Sequence, residues 1–292
     1  MTPLISALTL LFLLLTFALL TLGAQVLRRQ RRWQFSLRRI AAYQAMPVVV
    51  GEAVESERPI HVSFGGSGLG AESTVSALAV ADLLYPLAER LAVATHPPIV
   101  SLSDPTALGL AQGTLRRAYE MRRNLESFRS TAARWYPQGP RSLAFAAGVA
   151  GALADEDANM SAVAGRFGPE LAFIGETAAR YDQMLFAQSD QLDGQAVAWV
   201  MSEAPLIGEE LYVAGAYLPR RPTVLHMSQL LAMDTLRLLV IVAILVTAML
   251  AAAQRMLMDP RILLVTTGAV VAVVAVFLGV VFLIRYLGRR RG

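Results

Sequence analysis

The densest concentration of chemistry in this chain is a nine-residue stretch, Gly65-Gly66-Ser67-Gly68-Leu69-Gly70-Ala71-Glu72-Ser73. It follows Ile60–Phe64 (IHVSF), an apolar run of strand length, and leads into a segment with helical spacing. Gly66, Gly68 and Ala71 match the G-x-G-x-x-A form of the dinucleotide fingerprint in the strand-to-helix setting that it requires. The physics is simple: glycines place no Cβ in the way of a pyrophosphate, and amides at a helix start point at it. The predicted binding set is Gly65, Gly66, Ser67, Gly68 and Gly70 with Asp104, and the cofactor that such a set would take is a nucleotide. The fingerprint places an acidic residue about 20 positions on, at the end of the next strand. Asp104 holds that place here, 33 residues after Ala71. A plain tight glycine turn is the competing reading.

Ser67 resembles the serine of a nucleophile elbow, but G-x-S-x-G needs glycine where Leu69 stands. His61, His96 and His226 are scattered, so a triad of Ser67, His96 and Asp104 is the one hydrolase arrangement that the sequence offers. Glu72 and Ser73 suit the positive end of the following helix. Asp155, Asp157 and Asn159 occupy the first ligand positions of a calcium loop. Met160 then replaces the turning glycine and Arg166 the bidentate glutamate, which leaves an acidic helix start on a solvated surface as the better reading. The chain has no cysteine, and all 26 of its basic residues are arginine. Disulfides, thiolate metal sites, Schiff-base lysines and a Walker A lysine are thereby excluded, and no metal site is expected.

The elements that must position these residues alternate. Strand-length apolar runs recur at Ile60–Phe64, Ile99–Leu102, Ser142–Ala146 and Leu171–Ile174, with further candidates at Met184–Ala187 and Val197–Met201. Unbroken apolar strands separated by helices predict an α/β domain with a small, doubly wound, mainly parallel, Rossmann-like sheet. Residues 40–60 read as a connector holding a short strand at Val48–Val50. A helix is expected over Pro105–Trp135, with Asp104 as N-cap and Pro105 in its first turn. Its apolar stripe is Leu108, Ala111, Leu115, Ala118, Met121, Leu125, Phe128, Ala132 and Trp135, which packs on the sheet or, in part, on another subunit.

Outside this domain the chain speaks of membrane. Leu4–Leu27 holds 24 residues without a charge, enough to cross about 30 Å of hydrocarbon. Leu238–Ala253, extended at its inner end by Leu236 and a snorkelling Arg237, and Ile262–Ile284 form two more apolar runs. Arg28, Arg29, Arg31, Arg32, Arg38 and Arg39 follow the first run, and Arg285, Arg289, Arg290 and Arg291 flank the end of the third. Arginine-rich flanks stay on the cytoplasmic side, so the expected topology is N-terminus outside, with the α/β domain and C-terminus inside a plasma (inner) membrane. The domain plan is 1–27 first span, 28–59 basic connector, 60–219 α/β domain, 220–253 stalk and second span, 254–261 outer turn, 262–285 third span and 286–292 basic tail. Gly268, Ala272, Ala275 and Gly279 line one helical face, and Ala243, Thr247 and Ala251 another, which favours close helix packing within or between chains. None of the apolar runs contains a charge, which argues against a channel or pump.

Charge is segregated in the same way. Residues 40–219 carry 11 arginines against 20 acidic residues, a net of 11 − 20 = −9. The basic residues thus mark membrane edges, where anionic headgroups are their partners, and nucleic-acid binding is disfavoured. In layout, and in the segment GGSGLGAEST, the chain resembles uncharacterised bacterial inner-membrane proteins that carry an α/β domain between one N-terminal and two C-terminal spans. The resemblance implies no activity. With no complete catalytic set, the leading expectation is a non-enzymatic scaffold or assembly module that self-associates, its partners being further copies of the chain or other membrane proteins. A membrane-tethered sensor of a nucleotide or phosphate ligand at Gly65–Ser73 comes second, and a hydrolase using Ser67 third.

Overall fold

The structure, a computed structural model, describes residues 39–70 and 72–218, together with Val240. The chain divides into two compact units: Gln30–Met227, which holds the α/β domain, and Met1–Arg29 with Ser228–Gly292. Apart from Val240, the three apolar runs lie outside the described residues, as do the two small-residue faces and every membrane-edge arginine except Arg39, which is exposed. Among the described residues no helix is long and apolar enough to cross a membrane.

Five strands form one fully parallel sheet: β1 (Ile60–Gly65), β2 (Ile99–Leu102), β3 (Ala133–Trp135), β4 (Met160–Arg166) and β5 (Met184–Ala187). Their spatial order is β3-β2-β1-β4-β5, so the order reverses between β1 and β4. In an open parallel sheet that reversal opens a crevice at the carboxyl ends of the two strands, where the glycine loop sits. The α/β, Rossmann-like expectation holds. β1 and β2 are buried at every position, as a sheet covered on both faces requires.

The helices are α1 (Ala41–Glu55), α2 (Thr74–Leu91), α3 (Thr106–Met121), α4 (Leu143–Asp155), α5 (Leu171–Arg180), α6 (Leu192–Met201) and the short α7 (Ala214–Tyr217). Phe145, Val149 and Leu153 of α4 join Leu171 and Ile174 of α5 against Val163, Leu185 and Ala187 of the sheet. The opposite face, with Ile60, Val62 and Phe64, is covered by α2, which buries eleven of its residues. The outer edge of β5 is not left open. Ser202 Oγ donates to Leu185 O at 2.6 Å and accepts from Ala187 N at 3.2 Å, Glu203 Oε2 accepts from Leu185 N at 2.9 Å, and Leu206 N donates to Ala187 O at 3.0 Å. A covered edge cannot recruit a foreign strand.

Several expected elements change type. Val48–Val50 lies in helix α1, not in a strand, because Ala42, Tyr43, Met46, Val49, Val50 and Ala53 bury one helical stripe. That packing makes α1 part of the domain rather than a connector. Ser142–Ala146, Leu171–Ile174 and Val197–Met201 fall at or within α4, α5 and α6. Short apolar runs do not reveal their period, and here the buried residues recur at helical spacing. The long helix stops at Met121, and Ala133–Trp135 becomes edge strand β3 after two 3-10 turns. Asp155 and Asp157 mark the end of α4 and the turn after it, not a helix start.

The two ends of the domain meet. The Tyr43 ring near the start of α1 stacks on Tyr217 at the end of α7, with centroids 5.3 Å apart. Tyr43 also donates its hydroxyl to Glu210 O at 2.5 Å.

Candidate functional site

Gly65 ends β1 with φ +57, and a Cβ there would collide with Arg166 O and the Phe167 ring, so only glycine fits. The register of β1 against β4 slips between Ser63 and Gly65, which turns the chain out of the sheet. From there each successive amide finds an acceptor within the protein. Gly66 N donates to Arg166 O at 2.8 Å and Ser67 N to Phe64 O at 3.1 Å. Gly68 N reaches Ser73 Oγ at 3.0 Å, Leu69 N Thr106 Oγ1 at 2.8 Å and Gly70 N Thr74 Oγ1 at 2.9 Å. The hydroxyls of Ser73, Thr74 and Thr106 therefore take up three loop amides that would otherwise be available to a phosphate. A phosphate would have to displace them.

Asp104 follows β2 and is brought against this loop. Its Oδ1 accepts from Thr106 N at 2.8 Å and from Thr106 Oγ1 at 2.6 Å, which caps the start of α3. The carboxylate lies so close to Gly68 that any Cβ at that position would collide with it. Gly65, Gly66, Ser67, Gly68, Gly70 and Asp104 thus form one constellation at the carboxyl edge of the sheet, at the point of strand reversal.

Sequence reasoning missed Arg166, which closes the crevice from the β4 side. Its backbone N–H donates to Ser67 Oγ at 2.8 Å, and its guanidinium reaches Glu72 at 3.7 Å. With the Gln191 amide turned to satisfy both neighbours, Gln191 accepts from Arg166 Nε at 3.0 Å and donates to Phe167 O at 3.3 Å. Among the described residues Arg166 is the basic group bound to this loop through both backbone and side chain. The signal in the sequence was a lone arginine ending a run of small strand residues, MSAVAGR.

Ser67 is fully buried, with its Oγ under Gly165. His96 precedes β2 whereas Asp104 follows it, so they sit at opposite edges of the sheet. The Ser67, His96 and Asp104 grouping is therefore not assembled.

His61 lies inside the sheet, one turn of the pleat below the loop. Its Nδ1 pairs with Ser161 Oγ at 2.6 Å on β4, and its Nε2 with Ser101 Oγ at 2.8 Å on β2. Ser101 Oγ donates to Ser63 Oγ at 2.8 Å, and Gly65 N donates to that same Ser63 oxygen at 3.3 Å. A buried polar chain thus runs across three strands to the first residue of the loop. Complete burial lowers the His61 pKa to about 3, helped by the positive charge of Arg134, so the ring is neutral near pH 7. The sequence signal was one or two polar residues facing one way in each of three neighbouring strands, His61 and Ser63 in IHVSF, Ser101 in IVSL and Ser161 in MSAV.

Asp157 pairs with Arg58 at 2.7 Å, and Asn159 Nδ2 donates to Val49 O at 3.2 Å, which ties the turn before β4 to α1. Among the described residues no group of three or more His, Asp or Glu side chains could hold a metal ion.

A family model described as "Domain of unknown function (DUF6754)" matches residues 4–262. No curated protein and no solved structure matches the chain.

Proposed function

We propose that this chain, which belongs to the DUF6754 family, is a membrane-anchored, non-enzymatic assembly module that self-associates. One observation carries the reading: α6 turns Leu192, Trp199 and Val200 outward, 91 %, 60 % and 78 % exposed, on one helical face. Large apolar side chains grouped on one exposed face mark an interaction surface. The glycine loop is compatible with this reading, because the amides of Gly68, Leu69 and Gly70 are occupied by the chain's own hydroxyls.

The anchoring part rests on the three uncharged runs and their arginine flanks, which put the domain and the C-terminus in the cytoplasm and the arginines on anionic headgroups. Light scattering on the full chain in mild detergent, over a range of concentrations, tests self-association. The expected result is a mass above that of one chain, lowered by Trp199→Glu with Val200→Asp. A single-chain mass at every concentration would end the proposal. A non-permeant reagent applied to intact cells tests the topology: a probe near residue 150 must stay unlabelled.

A second reading is favoured by Asp104 pressed against Gly68 at the strand reversal, with Arg166 opposite. It is a tethered sensor that binds a nucleotide or phosphate ligand at Gly65–Ser73. Calorimetric titration with a nucleotide panel decides it, and no heat from any member retires it.

A further inference from the structure

Charge within the acidic α/β domain is unevenly placed. Five of the eleven arginines of residues 40–219 fall in one short stretch: Arg116, Arg117, Arg122, Arg123 and Arg129. With Glu120 and Glu126 the stretch has a net of 5 − 2 = +3, in a domain whose total is 11 − 20 = −9. All five are exposed. The end of α3, the turn after it and the end of α2 make one surface, because Asn124 Nδ2 donates to Ala92 O at 2.7 Å and Arg122 Nε to Glu89 O at 3.1 Å. Val93, Met121 and Leu125 stand exposed among these arginines.

The backbone carries a second mark. Helix α3 closes with Arg123 N bonded to Glu120 O at 2.9 Å and Asn124 N to Tyr119 O at 3.0 Å, and residue 123 has φ 56. Glycine favours that left-handed cap, yet an arginine holds it. Neither Arg116 nor Arg123 forms an ion pair among the described residues.

We propose that the ends of α2 and α3, with the turn after Met121, dock on the anionic headgroups of a lipid bilayer, an inference that rests on the anchoring reading above. Guanidinium groups take phosphate oxygens in a two-pronged grip, and aliphatic side chains between them enter the boundary of headgroup and acyl chain. The acidic remainder of the domain is repelled by the same negative plane, which fixes the end that touches it. Nucleic acid fits less well, because a single strand needs aromatic faces to stack on. Tyr119 is buried, Phe128 packs edge-on against it at 6.1 Å, and Arg117 covers Tyr85. The helices run opposite to the strands, so this surface lies at the amino edge of the sheet. Docking there leaves the glycine loop turned away from lipid.

The chain contains no cysteine, so one label can be placed at a chosen site. The full chain, with a fluorophore on Leu125→Cys, is reconstituted into vesicles of phosphatidylcholine alone or mixed with phosphatidylglycerol, each carrying a nitroxide quencher at headgroup depth. Quenching should rise with phosphatidylglycerol and fall with added salt. A label on Phe173→Cys, exposed at the start of α5 on the opposite edge, should show neither effect. Arg116→Gln and Arg123→Gly should each lower the docked-to-undocked ratio about fivefold, the share of one arginine near an anionic surface. Arg123→Gly should leave the urea midpoint in detergent unchanged or higher, since glycine relieves the cap; an arginine with a purely structural role would not separate the two readouts. Quenching equal in both vesicle types, equal at residues 125 and 173, or unchanged by Arg123→Gly would overturn the docking surface. So would an emission change when single-stranded RNA is added to the phosphatidylcholine vesicles, which would give the patch to nucleic acid. If the chain floats with neither vesicle type, the anchoring reading falls as well; if it floats with both while quenching stays equal, only the docking surface falls.

Discussion

Tyr43 and Tyr217, separated by almost the whole domain in sequence, stack with an angle of 27° between their rings. Chain entry and chain exit therefore leave from one place, beside the buried Ile40 and Leu218.

Tyr43→Phe removes the hydroxyl that donates to Glu210 O and should cost about 1 kcal/mol. Tyr217→Ala removes the stack, worth about 0.5–1.5 kcal/mol beyond the area it buries. Both changes are read from urea titrations of the detergent-solubilised chain followed by tryptophan fluorescence. No change with either would mean that the junction contributes nothing.

Gly68→Ala forces a methyl group into the Asp104 carboxylate and should destabilise by about 1–3 kcal/mol. Adding Asp104→Ala vacates the space, so the double variant should be less damaged than the two single losses summed. Strict additivity in that cycle would deny the contact.

The neutral state of His61 links stability to pH. Its pKa is about 3 in the folded chain against 6.5 when unfolded, so between these values the unfolded chain binds the extra proton. Its contribution is complete above pH 6.5 and is lost as pH falls towards 3, with a slope no steeper than about 1.4 kcal/mol per pH unit. His61→Gln, which keeps a donor and an acceptor between Ser161 and Ser101, should flatten the decline in urea midpoint between pH 7 and pH 4. Parallel profiles for the two proteins would sink the assignment.

Ser202→Ala opens the β5 edge by removing a donor to Leu185 O and an acceptor for Ala187 N. The expected loss is about 1–3 kcal/mol, with more aggregate on gel filtration, because bare strand edges pair with other chains. An unchanged elution profile and midpoint would show that Glu203 and Leu206 suffice.

Much of the scaffold could be read directly. Ile60–Phe64, Ile99–Leu102 and Met184–Ala187 are strands because β-branched, aromatic and aliphatic runs bounded by turn residues suit a sheet covered on both faces. The glycine turn was legible as well, since only glycine accepts the backbone of residue 65. Leu171–Ile174 and Val197–Met201 misled because four or five apolar residues are too few to display a period. The strand Met160–Arg166 went unseen because its alanines, serine and glycine carry little β-preference, and a place inside the sheet, paired on both sides, overrides that.

Residue order alone sets the alternation of strands and helices, the acidic character of the domain, and a glycine turn after the first strand. Tertiary structure alone decided what that turn is bonded to. Thr106 reaches Leu69 across 37 positions and Ser67 meets Arg166 across 99, because parallel pairing of β1 with β2 and β4 stacks their carboxyl ends side by side. Local pattern reports the spacing of apolar faces, whereas hydrogen bonds between loops depend on which strands become neighbours, and that is a property of the whole packed chain.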